Sequence, residues 1–160
     1  MLLGWFGFKK VYVPVEKPQA KGKFPVWFWL GSLLMFGAMF FMWGKFSGPR
    51  FITNWTLLPL FWGAVLFLDG IGFFRHRGHS IINDKPHTLI AIAVCSVGGW
   101  AFFEYLNFFV KENWYYPAGN LVGNVQFIVY SLIGSSALLT LAFEVYTLLG
   151  TFPKFAVRYN

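Results

Sequence analysis

Three carboxylic acids stand inside otherwise apolar stretches of this sequence: Asp69, Glu104 and Glu144. An ionised carboxyl is costly in hydrocarbon, so such residues face protein or a wet cavity. The chemistry open to them is proton relay, acid catalysis or cation binding. The structural alternative is hydrogen bonding between helices, with Asp69 or Glu144 reaching toward Arg75, Arg77 or Lys154. Spacing gives two of the acids polar company. Ser96, Trp100, Glu104 and Asn107 follow one another at steps of four, four and three, as do Ser136, Thr140, Glu144 and Thr147. Such steps return to one face of a helix. They predict two polar stripes and a polar seam inside a helix bundle. If Asp69 and Glu144 are neighbours, they are expected to share a proton, because two adjacent carboxylates resist joint ionisation.

His76, His79 and His87 fall in one short polar stretch with Asp84 between them. The spacing of His76 and His79 occurs among metal ligands. Arg75 and Arg77 repel a cation there, however, and a solvated basic loop against lipid headgroups is the expected reading. No histidine lies within an apolar stretch, which argues against histidine-ligated haem or chlorophyll in the membrane. With 22% aromatic residues, a lipid, quinone or carotenoid in an aromatic groove is compatible with the sequence, but no cofactor is firmly implied. Cys95 is the single cysteine, so the chain forms no internal disulfide and no cysteine-based zinc site. There is no Gly-x-Ser-x-Gly, no His-Glu-x-x-His, no Walker sequence and no aspartate-rich cluster.

The elements that must position these residues follow from composition. Hydrophobic residues make up 57% of the 160, and charged residues 12%, against about 25% charged in an ordinary soluble domain. A bilayer core needs about 20 mainly apolar residues per helix. Four stretches qualify, at 24–46, 55–74, 88–110 and 125–149. They lack the alternation of barrel strands. The expected fold is all-α, a bundle of four transmembrane helices. A basic N-terminal segment (1–23) with an interfacial anchor precedes the transmembrane domain (24–150), and a short tail (151–160) follows it. Small residues mark expected helix contacts: Gly31, Gly37 and Ala38 on the first span, Gly63 and Gly70 on the second, and Ser131, Gly134, Ser135 and Ala137 on the fourth. The last cluster is the strongest of the three.

The net charge of +7 does not point to nucleic acid, because the cations gather beside the spans and no basic recognition motif is present. Lys9, Lys10, Lys21, Lys23, Arg75 and Arg77 are expected at lipid headgroups. Ten of the thirteen cations lie in the N-terminal segment, the 75–87 connector and the tail; Lys45, Arg50 and Lys111 lie in the other two connectors. This bias predicts both termini in the cytoplasm, as in a bacterial inner-membrane protein. Trp27 and Trp29 are then expected at the inner interface, and Trp43, Trp55, Trp114, Tyr115 and Tyr116 at the outer one.

The run Phe103-Glu104-Tyr105-Leu106-Asn107, continuing to Asn113-Trp114-Tyr115-Tyr116, and the run Trp62 to Asp69 before it, resemble a group of uncharacterised bacterial multi-pass membrane proteins. The resemblance covers the second to fourth spans. It implies that Asp69, Glu104, Asn107 and Trp114 belong to a recurrent architecture. Acids at helix ends beside aromatics are also similar to the small membrane-embedded lycopene cyclases, although their Pro-x-Glu-Glu type segment is missing here. The expected function is a non-catalytic accessory subunit of a larger membrane complex, with other transmembrane subunits or further copies of itself as partners beside lipid. The alternatives are a membrane enzyme acting on an isoprenoid or other lipid through the intramembrane carboxyls, and proton or ion translocation.

Overall fold

In hydrocarbon no water satisfies backbone N–H and C=O groups, so a spanning segment closes its hydrogen bonds within itself as a helix. The computed structural model describes residues 23–44, 55–109 and 123–152. It places a helix on each of the four apolar stretches: α1 (Val26–Trp43), α2 (Leu57–Arg75), α4 (Pro86–Phe109) and α5 (Asn124–Gly150). All four are long and apolar enough to cross a membrane. The anchor and the lysines up to Lys21, the aromatic cluster at 114–116, and the tail cations Lys154 and Arg158 lie outside the described residues.

The 75–87 connector is more ordered than a solvated loop. It holds a fifth, short helix, α3 (Ile81–Asp84), started by Ser80, whose hydroxyl accepts from the Asn83 N–H at 3.2 Å. Before it, α2 ends in a reversed turn. Arg77 has φ 58° and the Gly78 N–H bonds back to the Phe73 carbonyl at 2.8 Å, which satisfies one of the carbonyls a helix end leaves over. After it, α4 begins at Pro86 rather than at residue 88. Proline suits the first helical position, where its missing N–H costs nothing.

The helices do not pack in chain order. α1 packs on α2, α2 on α5, and α5 on α4. The spatial order is therefore α1, α2, α5, α4, with the last helix of the chain between the second and fourth. The closest approach is between α1 and α2. A Cβ on Gly31 would stand 2.6 Å from the Phe67 nitrogen, and one on Gly63 2.6 Å from the Met35 nitrogen. A Cβ on Gly70 would meet that of Phe28 at 2.6 Å. The two helices thus touch backbone to backbone, which only glycine permits. This reverses the ranking from sequence, which put the α5 cluster first, and it leaves Gly37 out, since nothing lies within 4 Å of a Cβ there. The α5 cluster still packs: Ser135 and Ala137 are buried.

The interior is polar. Among the described residues the buried hydrophobic side chains are Ala38, Val65 and Ala137, whereas Asp69, Ser96, Asn107, Ser135, Thr140 and Glu144 are all buried. Large apolar side chains such as Trp29, Phe40, Phe103 and Tyr146 point outward. That is the arrangement lipid favours, because tails solvate Leu and Phe as well as a protein core does.

Candidate functional site

Asp69 lies on the last third of α2 and is 1% exposed. Three elements converge on its carboxylate. From α1, the Trp27 indole N–H donates to Oδ2 at 2.9 Å. From α3, the Ile82 backbone N–H donates to Oδ1 at 3.0 Å. From α5, Glu144 brings a second carboxyl within electrostatic reach. Glu144 is 2% exposed, and its Oε1 has no hydrogen-bond partner. The two acids, 75 residues apart in sequence, line one cavity of about 220 Å³.

The rest of that cavity comes from Gly72 and His76 on α2, from the connector and α3, and from Thr147 and Thr151 at the end of α5. Gly72 has open space where a Cβ would be. At the rim, the exposed His79 ring pairs with Asp84, Nδ1 to Oδ2 at 2.9 Å. The hydrogen bond from His79 holds the Asp84 carboxyl below its ordinary range; desolvation works the other way, and the Asn83 amide adds to the lowering. His76 and His79 both line the cavity, but no three His, Cys, Asp or Glu side chains among the described residues are disposed around a metal ion.

Arg75, one of the three cations that the structural alternative offers to Asp69 or Glu144, meets neither acid. Its Nε donates to Thr151 Oγ1 at 2.6 Å and its Nη2 to the Thr151 carbonyl at 3.4 Å. Its guanidinium sits 4.0 Å over the Phe152 ring. The reason is position. Arg75 ends α2 beside the end of α5, where leftover carbonyls and the helix dipole attract a cation. Arg75 is exposed, as are Lys23 and Arg77.

The hydroxyls of Ser136, Thr140 and Thr147 are spent on carbonyls of their own helix, those of Ile133, Ser136 and Glu144. Ser136 lines a separate apolar cavity with Trp62 and Leu89. Trp100 and Glu104 line a third, of about 240 Å³, with Phe108, Phe127 and Ser131, and Asn107 is buried nearby on α4.

Ser96 of the α4 stripe reaches backbone groups of α5 beside the other stripe. Ser96 Oγ donates to the Ser135 carbonyl at 2.5 Å and accepts from the Leu139 N–H at 2.9 Å. Those two groups are the ones an uninterrupted helix pairs with each other. A hydroxyl from α4 is thus wedged into the backbone ladder of α5, an arrangement that bends helices. Ser96→Ala lets Ser135 and Leu139 pair directly, so the expected loss is small, about 1 kcal/mol. Ser96→Leu has no such escape and is expected to separate α4 from α5. Thermal unfolding in detergent reads both, and equal losses would contradict the wedge.

Sequence reasoning found Asp69, Glu144 and Ser96. It missed Trp27, read as an interfacial residue, and the roles of Ile82 and Thr151. The Ile82 contribution is a backbone group, which side-chain patterns do not announce. No protein-family model matches the sequence, and no curated protein or solved structure matches it either.

Proposed function

We propose that this chain handles protons at the Asp69–Glu144 pair and works as a subunit of a larger membrane assembly. One observation carries the first part: Glu144 is almost wholly buried beside Asp69, with one oxygen unpartnered, and both acids line one cavity. Asp69 accepts two N–H groups, the surroundings of an ionised carboxylate. Glu144 has one carboxyl oxygen with no partner, and a neutral carboxyl costs least there. The pair then holds one proton on Glu144, and the cavity gives that proton a path to water. Four exposed polar side chains on its lining, His76, His79, Asp84 and Lys85, offer exchange with water, and this favours proton exchange over reaction with an isoprenoid.

A proton-uptake measurement tests this. On a pH jump in detergent, Glu144→Gln is expected to take up about one proton fewer per chain, because an amide does not titrate. Its unfolding temperature is expected to stay close to that of the parent, since glutamine keeps the shape. Equal uptake by both proteins would remove Glu144 from the role.

The assembly reading rests on the margins of the helix row. Among the described elements, α1 packs closely only on α2, and α4 only on α5 and the short α3. Both margins carry large outward apolar side chains, a surface equally suited to lipid and to further transmembrane helices or second copies. With both termini cytoplasmic in a bacterial inner membrane, as the cation bias suggests, the cavity opens to the cytoplasm. Reporter fusions after Gly78 and Asn160 are then expected to read inside, and fusions after Pro49 and Gly119 outside. A cytoplasmic reading after Gly119 would overturn this orientation.

A further inference from the structure

We infer that α5 carries a hinge at 135–139, set by the Ser96 hydroxyl of α4, which moves Glu144 relative to Asp69 whether or not the pair carries a proton. The Ser96 hydroxyl donates to the Ser135 carbonyl and accepts from the Leu139 N–H, the two groups that a regular helix joins directly. A side chain inserted there is a recognised cause of helix kinks. The turns on either side are loosened as well. The Leu132, Ile133 and Ser136 carbonyls accept from the Ser135, Ser136 and Thr140 hydroxyls. From α2, the Trp62 indole N–H also donates to the Ile133 carbonyl, at 3.1 Å. Hydroxyls that bond back to their own helix weaken and bend it.

The wedge has two arrangements with the same number of hydrogen bonds. Inserted, the Ser96 hydroxyl makes two, one to each backbone group of α5. Withdrawn, it leaves the Leu139 N–H to the Ser135 carbonyl and turns to the Ile92 carbonyl of its own helix, as Ser32 does to Phe28 four residues before it. That arrangement also holds two bonds, so hydrogen bonding does not choose between a bent and a straight α5, and both are populated. The half that moves is the one carrying Glu144. Before the hinge α5 packs closely on α2: a Cβ on Gly134 would stand 3.3 Å from Leu58, and the Tyr130 ring meets the Trp55 ring edge-on at 5.8 Å. Beyond the hinge, a cavity of about 220 Å³ is lined by Glu144, Thr147 and Thr151 on one side and by Asp69 and Gly72 of α2 on the other, which leaves that half room. Its tie to α2 is the long, exposed side chain of Arg75 on Thr151, which can follow the motion. Glu144 lies about 7 Å along the helix from Leu139, so a change of about 20° in the bend moves it by about 2–3 Å.

The experiment measures distances between pairs of spin labels by pulsed electron resonance on the full chain in detergent. Cys95→Ala is the background, because Cys95 is exposed and would itself take a label. One pair stands on Val26→Cys and Tyr146→Cys, exposed positions at the start of α1 and on the half of α5 beyond the hinge. The other stands on Phe40→Cys and Ile128→Cys, exposed positions toward the opposite ends of the same two helices. α1 is the fixed reference, since its glycine contacts lock it to α2. The first pair is expected to show two populations about 4 Å apart, the displacement that a change of about 20° gives at Tyr146, and the second pair one. Ser96→Ala is expected to merge the two populations into one, because the Leu139 N–H then has the Ser135 carbonyl alone. A substitution that merely loosened the packing would broaden them instead. One population for the first pair in the parent, two populations for both pairs, or two that Ser96→Ala leaves separate or broadened, would overturn the hinge. Should Ser96→Ala fail to fold, the parent decides: two populations for the first pair beside one for the second support the hinge, and any other result overturns it. No proton is measured, so the proton reading stands or falls separately.

Discussion

Gly63→Val is expected to detach α1 from the rest of the protein. The new side chain would begin 2.6 Å from the Met35 nitrogen and 3.0 Å from the Gly31 oxygen. Both are backbone atoms of a helix and neither can swing aside. Relief comes only by moving α1 away from α2. Forced overpacking costs typically about 1–3 kcal/mol, and here a second loss follows. Trp27 rides on α1, so separation also breaks its hydrogen bond to Asp69, worth about 1 kcal/mol or more because the acceptor is charged. Gly31→Val, which meets the Phe67 nitrogen at 2.6 Å, is expected to behave the same way. Gly37→Val supplies the control, with nothing within 4 Å of its Cβ position. Thermal unfolding in detergent should place the first two variants well below the parent and the third beside it. If all three unfold alike, close glycine packing is not what joins α1 to α2.

Asp69→Ala is expected to be the most damaging change at the site itself. It strands two donors, the Trp27 indole and the Ile82 amide. Each buried donor left without a partner costs roughly 1–3 kcal/mol. Removing Asp69 also relieves its repulsion with Glu144, which narrows the loss to an expected ~2–4 kcal/mol. Asp69→Asn keeps an oxygen for one of the two donors and is expected to lose about half as much. The prediction is therefore an order, with alanine worse than asparagine and asparagine worse than the parent. It is measured by unfolding in detergent and by the amide exchange of Ile82, which should speed up in the alanine variant. An alanine variant as stable as the asparagine one would mean that the two donors do not depend on Asp69.

Which parts of this were legible in the sequence follows from what sets each of them. The spans were legible because a bilayer demands a length and an apolarity that only four stretches meet, and the helices match those stretches to within a few residues. Asp69 and Glu144 stood out for the same reason: a carboxyl in an apolar run is conspicuous. Their adjacency was written only as a condition, since composition does not say that α5 lies beside α2. Trp27 was read by its type, as an aromatic at a membrane interface, because nothing in its neighbourhood shows that α1 crosses α2 at Gly31 and turns the indole inward. Arg75 was misread because the carbonyls that attract it belong to a helix end 76 residues later. The relative strength of the glycine contacts was hidden too. Gly31 and Gly37 look alike in the sequence, and only the crossing angle separates a backbone contact from open space.

The position of α5 in the row sets an order of events at the ribosome. α1 and α2 are made first and touch each other directly, so that hairpin can close while the remainder is still being translated. α4 enters the bilayer next, yet its main packing partner has not been synthesised. It enters with Ser96 not yet bonded to α5, and stays so until that helix emerges and takes its place between α4 and α2. Glu144 therefore joins Asp69 only once α5 has been made. A nascent chain that stops before α5 keeps Asp69 and Trp27 but never assembles the carboxyl pair. The carboxyl pair thus forms only after α5 has joined the row, and a chain truncated before α5 leaves Ser96 without the backbone groups it bonds.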